Sequence, residues 1–562
     1  MPAKFRQIAL VLATAIALTT APSAQALQAP DIHTVDLEPG APSSAARGFA
    51  RLNGWDYFVT GGTDLGYGTG IWRTNGAMTE LIADDLVIGV VAARNIGVVR
   101  AFALLGSYLY FTADDGIHGQ EIWRTDGASV TMVANLCATV CDGAFGAPYT
   151  SGSWVYFNGD NGTTGGELWR TNGTTMALVK DIEPGPLSSD PDDFYTYQGT
   201  LYFTYENDAD GWELGKTDGT TNGTVLYNLA SGSTGSAPAG FTAFAGRLFF
   251  SANSQLWSLT TSQVPTEFFA PNTSGNSYVS FLTVVGSQMF FAATDDVDGR
   301  ELWVTTGDPT DPSATRQAYD IAVGPGGSNP TWLMAFGSRV YFAATTGASG
   351  TELWSSNGFG NASLVSEMAA GSDSSEPNDL TVFAGALYLF ANDGELWRVT
   401  DSSTAKRQSM VQLWYDEFDS FNSKFLNVAL EVSGDKLYLQ TGVAGAGKEY
   451  AWMQAPAAPA SVAAPAITGT AKVGKVLTGA RGSWSGVPSA ITSARWYRCT
   501  GAGTTTPTSF SLSGCVAISG ATKATYKAVT ADKGKYLRLR VTAKNESGTV
   551  YRWSKATGKI AP

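Results

Sequence analysis

A seven-residue phrase returns nine times between Gly70 and Tyr450, and its cleanest copies read Glu121-Ile122-Trp123-Arg124-Thr125-Asp126-Gly127 and Glu167-Leu168-Trp169-Arg170-Thr171-Asn172-Gly173. Self-similarity at a fixed spacing restricts the fold to one supersecondary unit stacked on copies of itself. In the third copy, Trp154 to Phe157 reads as a strand, Gly159 to Gly166 as a turn, Glu167 to Arg170 as a second strand, Thr171-Asn172-Gly173 as a tight turn, and Ala177 to Ile182 as a third strand. A short strand near Phe194 to Tyr197 leads into the next copy. Four antiparallel strands in about 47 residues make one propeller blade.

Position in the repeat predicts residue type. Trp72, Trp123, Trp169, Trp257, Trp303, Trp354 and Trp397 occupy one position, which Gly215 and Ala451 fill in two copies. The preceding strand carries adjacent aromatics, as in Tyr57-Phe58, Tyr110-Phe111 and Tyr156-Phe157. Neighbouring aromatics point to a strand buried on both faces, as where sheets stack. The Trp series therefore reads as packing in preference to a row of sugar-stacking platforms. The ninth copy lacks its last strand, whereas the N-terminal Thr34-Val35-Asp36-Leu37-Glu38-Pro39-Gly40 matches Asp181-Ile182-Glu183-Pro184-Gly185. The expectation is an all-β chain: a propeller of nine four-stranded blades, or eight if one divergent copy is displaced, closed by the N-terminal strand.

The phrase resembles the ELWxxDGT repeat of secreted bacterial proteins, over roughly Thr34 to Trp452. That resemblance implies a propeller-like array and no general catalytic activity. Copies around Gly70, Gly215, Gln255 and Ala451 depart from the pattern. Residues 455–465 read as an Ala/Pro-rich linker. Short strands with turn signals follow over 466–562, with a buried-Trp candidate at Trp496, as in a small β-sandwich. Gly482 to Pro488, Trp496-Tyr497-Arg498-Cys499, Thr525-Tyr526, Ala531 to Gly534 and Val541 to Asn545 are similar to bacterial immunoglobulin-like modules common in secreted actinobacterial proteins. The resemblance implies a spacer or adhesion domain in which Cys499–Cys515 ties neighbouring strands.

Residues 1–26 read as a secretory signal: Lys4 and Arg6, an apolar run from Ile8 to Leu18, and Ala24-Gln25-Ala26 at the cleavage site. The rest, 27–454 as propeller and 466–562 as sandwich, lacks an apolar stretch of membrane-spanning length, so an extracellular, soluble or surface-associated protein is expected. Charge divides the chain. Residues 457–562 hold 15 Lys and Arg against two acids, and residues 27–456 hold 19 against 47. The acidic part should repel nucleic acid, and the basic part could bind an anionic cell envelope or its own acidic neighbour. Four cysteines in such a chain suggest two local disulfides, Cys137 with Cys141 and Cys499 with Cys515.

Chemistry is sparse. Two histidines, His33 and His118, cannot assemble a multi-His metal site, and no Ser-His-Asp set is expected. Gly442 to Lys448 has phosphate-loop spacing, but Glu449 stands where Ser or Thr should hold magnesium and no helix follows. No cofactor is called for, apart from calcium as a candidate. Asp208 and Asp210, and Asp296 and Asp298, alternate around glycine turns as calcium ligands do, although Asp, Asn and Gly also simply make turns. The Glu of the phrase, present in seven copies, is too regular for a catalytic group and should serve structure, accepting from a neighbouring turn or pairing with an Arg such as Arg124 or Arg170. The leading expectation is a secreted, non-enzymatic binding or adhesion protein with an extracellular glycan or protein ligand. The alternatives are a propeller hydrolase or lyase acting on polysaccharide, and a structural envelope component.

Overall fold

The computed structural model describes residues 33–35, 37, 46–60, 70–83, 86–88, 91–92, 99–138, 141–230, 232–260, 262, 264–273, 275–392, 395–399, 405–407, 430–443, 447–455, 457–487, 491–545 and 548–562. The leader expected at 1–26 lies outside them. The chain is all-β, with two single-turn 3-10 segments, Pro312–Ala314 and Thr530–Asp532, as its helical content among the described residues.

Before residue 455 the strands form successive antiparallel sheets, most of them four-stranded in sequence order. The third is typical: Ala144–Ser151, Trp154–Gly159, Glu167–Thr171 and Met176–Lys180. Nine such sheets occur among the described residues, and the second carries a fifth short strand. The ninth consists of Glu431–Ser433, Lys436–Val443 and Gly447–Gln454, and its fourth strand is the N-terminal His33–Val35. There His33 lies opposite Trp452 and stacks on its indole at 4.1 Å.

The paired aromatics explain why the sheets stack. Tyr57 belongs to a buried cluster shared with the second sheet, together with Leu109 and Phe111. Its neighbour Phe58 points the other way, into a cluster with Tyr438, Tyr450 and Trp452 of the ninth. Each consecutive pair of sheets shares one such cluster, and so do the ninth and first. Burying a Phe or Leu contributes about 1.5–3 kcal/mol, so these interfaces are the main cohesive force between sheets.

A polar latch recurs beside three of these cores. Arg73 donates to the carbonyl of Gly127 in the next sheet's turn (2.7 Å), and Arg124 does the same to Gly173 (3.1 Å) and Arg316 to Gly358 (2.6 Å). Gly127 has φ +91°, and a Cβ there would collide with the Tyr57 hydroxyl. Glycine is therefore required both by backbone conformation and by the approaching side chains. The same relation joins the ends of the series: Lys436 and Trp452 of the ninth sheet approach Gly76, and Tyr450 bonds Thr79 (3.1 Å), both in the first.

The Ala/Pro-rich stretch expected as linker is largely a strand. Ala457–Ala463 pairs with Ser483–Val487, and the Asn545 side chain donates to Ala457 O (2.7 Å). It is mostly exposed, with Pro459 its one buried residue, and it pairs on one side only, where a proline without an N–H is tolerated. Two further sheets complete the module: Ala466–Thr468, Val476–Ala480 and Thr525–Lys527, then Cys515–Ala517, Ile491–Cys499, Tyr536–Asn545 and Gly548–Trp553. Trp496 is fully buried with Leu477, Leu537 and Leu539, and its indole N–H donates to Lys523 O (2.9 Å). No helix among the described residues is long and apolar enough to cross a membrane.

Candidate functional site on the leading strands

In five of its seven copies the Glu of the repeated phrase is committed to structure. Glu167 accepts from the backbone of Ile182 (2.8 Å) and Glu183 (3.2 Å) and from the Ser189 hydroxyl (2.7 Å). Glu301 accepts from Ile321 (3.3 Å) and Ala322 (3.1 Å), and from both the backbone (2.7 Å) and hydroxyl (2.6 Å) of Ser328. Glu213 and Glu352 repeat the arrangement with Ser236 and Ser375. Each carboxylate thus ties the end of its sheet's last strand to the crossover into the next. Of the two roles open in the sequence, the turn is the one filled; Arg124 instead latches the next sheet. In the fifth sheet Gln255 stands in, accepting from Ser277 and donating to Gly275 O (3.1 Å). In the second, Gly143 replaces the serine, and Glu121 keeps two backbone donors, Leu136 and Cys137. Burial pushes Glu121 and Glu167 up to about 7 against these donors.

The Trp row lies in the packed interior or at its margin. Trp169 and Trp303 are 8% and 7% exposed, and Trp123 donates to Ala113 O of its own sheet (2.9 Å). The four calcium candidates sit on two separate hairpin tips. Asn207 caps one by accepting from Ala209 and Asp210, and Asp295 caps the other by accepting from Val297 and Asp298. Asp208 and Asp296 are exposed at these tips, while Asp210 accepts from the Asn228 amide (2.6 Å). Among the described residues, no three His, Cys, Asp or Glu converge in a way that could hold a metal. His118 is engaged by Asp115 within its hairpin (2.8 Å). Both disulfides are formed. Cys137–Cys141 closes a crossover, and Cys499–Cys515 joins directly opposed residues of adjacent strands.

A different set of residues departs from the repeat. The leading strand of seven sheets bulges near its start, between residues such as Arg47 and Ala50, Asp192 and Tyr195, or Asn378 and Thr381. One residue inside the bulge is left-handed. It is Gly48, Gly146 and Gly240 in three sheets, but Asp193 (φ +48°), Phe281 (+59°), Trp332 (+56°) and Asp379 (+51°) in the other four. For Phe and Trp this conformation is strained by about 1–3 kcal/mol, and it persists only where surroundings enforce it. Here each aromatic leans on the next sheet's core, Phe281 near Leu333 and Trp332 near Leu380. All four side chains are half-buried.

Leading strands of consecutive sheets lie side by side. Thr283 donates to Leu333 O (3.1 Å) and Thr381 to Leu430 O (3.3 Å). Glu431, leading the ninth sheet, accepts from Gly48 N (3.0 Å) and Phe49 N (2.8 Å) of the first. Burial, reinforced by the charge of Glu431, pushes Asp379 up to about 7. Glu431 is itself raised by burial, against the two backbone donors and the charge of Arg47. Phe281, Trp332, Asp379, Glu431 and Arg47 therefore follow one another along adjoining strands. Sequence reasoning missed them because their side chains vary; the readable trace was the glycine recurring in register at Gly48, Gly146 and Gly240.

No family model matches the chain, and no curated protein matches it. Solved structures with partial likeness include a prolyl endopeptidase (12% identity, TM-score 0.33, 64% of this chain and 54% of that one). A puromycin-hydrolyzing peptidase of Mycobacterium tuberculosis is similar at 11% identity and TM-score 0.33, over 68% of this chain and 63% of that one. The β-propeller domain of the Trilobed protease from Pyrococcus furiosus is similar at 10% identity and TM-score 0.28, over 57% of this chain and 97% of that one. The chain thus spans about half the length of the first of these. At such scores the likenesses assign no activity, ligand or partner to it.

Proposed function

We propose that the nine sheets are the blades of a closed propeller, and that the chain is a secreted, non-enzymatic binding protein whose ligand meets the ring of leading strands. Closure is supported by His33–Val35 completing the ninth sheet and by the hydrogen bonds from the first sheet to Glu431. The resemblance to ELWxxDGT-repeat proteins favours the same reading. The observation that carries the binding role is the contrast between two positions. Where it is seen bonded, the Glu repeated in the phrase is taken up by backbone donors and mostly a serine, whereas the bulge position holds Asp193 and Asp379 and, under strain, Phe281 and Trp332. Half-buried aromatic faces beside carboxylates suit a glycan, which presents apolar ring faces and hydroxyl donors together. The C-terminal module serves as spacer and as tether to an anionic envelope.

A second reading is polysaccharide cleavage. It is favoured by Asp379, a carboxyl held at about 7 beside a second carboxylate, as a general acid requires. A glycan panel probed with the full secreted chain separates the two. Saturable binding without new reducing ends supports the first reading, release of shortened oligosaccharides supports the second, and no glycan binding at all overturns both.

A further inference from the structure

Six lysines of the C-terminal module meet at one end of its sandwich. Three turns are interlocked there by backbone hydrogen bonds. Gly474 N donates to Ala528 O (2.8 Å) and Ala528 N to Lys475 O (3.0 Å). Val473 N donates to Ala561 O (2.9 Å), Gly534 N to Ile560 O (2.9 Å) and Ile560 N to Lys535 O (2.8 Å). Lys472, Lys475, Lys527, Lys533, Lys535 and Lys559 flank these contacts, and all six are exposed. Their side chains thus arise within roughly one to two Debye lengths of one another at physiological salt, so their fields add.

No exposed acidic side chain offsets them among the described residues of the module. Its acids are Asp532, which is fully buried, and Glu546, which lies outside the described residues. Asp532 faces inward: it accepts from Arg498 (2.6 Å), the Tyr526 hydroxyl (2.9 Å) and Val529 N (2.8 Å). Its charge is neutralised by Arg498. Around them lie Gly474, Thr530, Gly534 and Gly558, with Val476 and Val529 also exposed. Lysine ammoniums on flexible stems attract distributed charge without the planar matching that arginine imposes. That combination fits a long, flexible polyanion better than a rigid acidic surface.

We infer that this lysine end is the surface by which the module docks an anionic envelope polymer bearing phosphodiester or carboxylate groups along a flexible chain. This rests on the tether reading above and names the surface that performs it.

The test uses the full secreted chain, immobilised poly(glycerol phosphate), and polygalacturonate as a second arm. One variant replaces Lys472, Lys475, Lys533, Lys535 and Lys559 with Gln. A control of equal charge replaces five other exposed basic residues, Arg481, Arg495, Lys523, Lys544 and Lys555, with Gln. Thermal unfolding checks that both variants fold. The expected result is salt-sensitive retention of the wild type and the control, with the end variant weaker by at least about tenfold and its salt dependence flattened. Retention in only one arm identifies the anion as phosphodiester or carboxylate. Equal weakening of both variants, or equal retention of all three proteins, overturns the assigned surface while leaving the tether standing. Failure of the wild type to bind either polymer at low ionic strength overturns the tether itself.

Discussion

Replacing Glu301 with Ala tests whether the repeated carboxylate is a structural keystone. Glu301 is 1% exposed and accepts four hydrogen bonds, from the backbone of Ile321, Ala322 and Ser328 and from the Ser328 hydroxyl. Alanine leaves four donors converging on a site with no acceptor. Hydrogen bonds to a charged group contribute about 1.5–3 kcal/mol each, and orphaned buried donors carry a comparable penalty. Against this stands the relief of a buried charge, since burial holds the Glu301 pKa above its ordinary value. A net loss of roughly 3–5 kcal/mol is expected, with water recovering part of the bonding. In a domain this large, that corresponds to a fall in Tm of about 3–6 °C. Differential scanning calorimetry of the purified protein reads it directly. The fifth sheet supplies an internal comparison. Gln255 manages there because the carbonyl of Gly275 receives its amide, whereas Glu301 has four donors around it. Glu301→Gln is therefore also expected to destabilise, by less than alanine. A Tm for Glu301→Ala within 1 °C of wild type would refute the keystone reasoning.

Three further outcomes follow from the same contacts. Asp379 is raised to about 7 in the folded chain, so its contribution to stability is fully present below about pH 4 and is lost as pH rises through about 7. The gap of about three pH units sets an upper limit near 4 kcal/mol, reduced by partial solvent access. Asparagine stays neutral and tolerates the left-handed backbone, so Asp379→Asn should raise Tm at pH 8 and leave it unchanged at pH 4; an equal shift at both would contradict the assignment. Deleting residues 27–40 removes the strand opposite Gly447–Gln454 and exposes that edge, so amide exchange at Tyr450 and Trp452 should accelerate and Tm should fall sharply, while an unchanged melt would sink ring closure. If the Asp208/Asp210 or Asp296/Asp298 loops bind calcium, Tm should rise with millimolar calcium over chelator, whereas identical melts would dismiss the site, as the self-capping of both hairpins suggests.

How much of this was legible before the structure differs by element. The paired aromatics and the Glu-Leu-Trp phrase revealed stacked four-stranded sheets, because each sheet repeats one burial problem and solves it with the same residues. The role of the Glu was half legible. Its acceptor function was anticipated, but the partner serine escaped notice because Ser189, Ser236, Ser277, Ser328 and Ser375 lie more than twenty residues downstream in crossovers of differing length. The bulge residues were barely legible, since what all seven share is a backbone angle that glycine marks in only three sheets. The stretch at 457–463 misled for a compositional reason. Alanine and proline look like linker, yet an edge strand needs few side chains when its backbone pairs with Ser483–Val487 and Asn545 holds the Ala457 carbonyl. The basic C-terminal module was visible as a net charge, but its concentration at one end depends on turns brought together by long-range backbone bonds.

On the proposed reading, the repeated position builds the ring while the bulge position binds. One comparison tests it most directly: affinity for a glycan found on the panel, measured by calorimetry for wild type, Glu301→Gln and Trp332→Ala, alongside the Tm of each. On that reading Glu301→Gln should lower Tm with affinity unchanged, and Trp332→Ala should weaken binding by at least about tenfold, the scale of losing one stacked aromatic face, with a smaller change in Tm. Unaltered affinity in Trp332→Ala, together with loss of affinity in a folded Glu301→Gln protein, would contradict it.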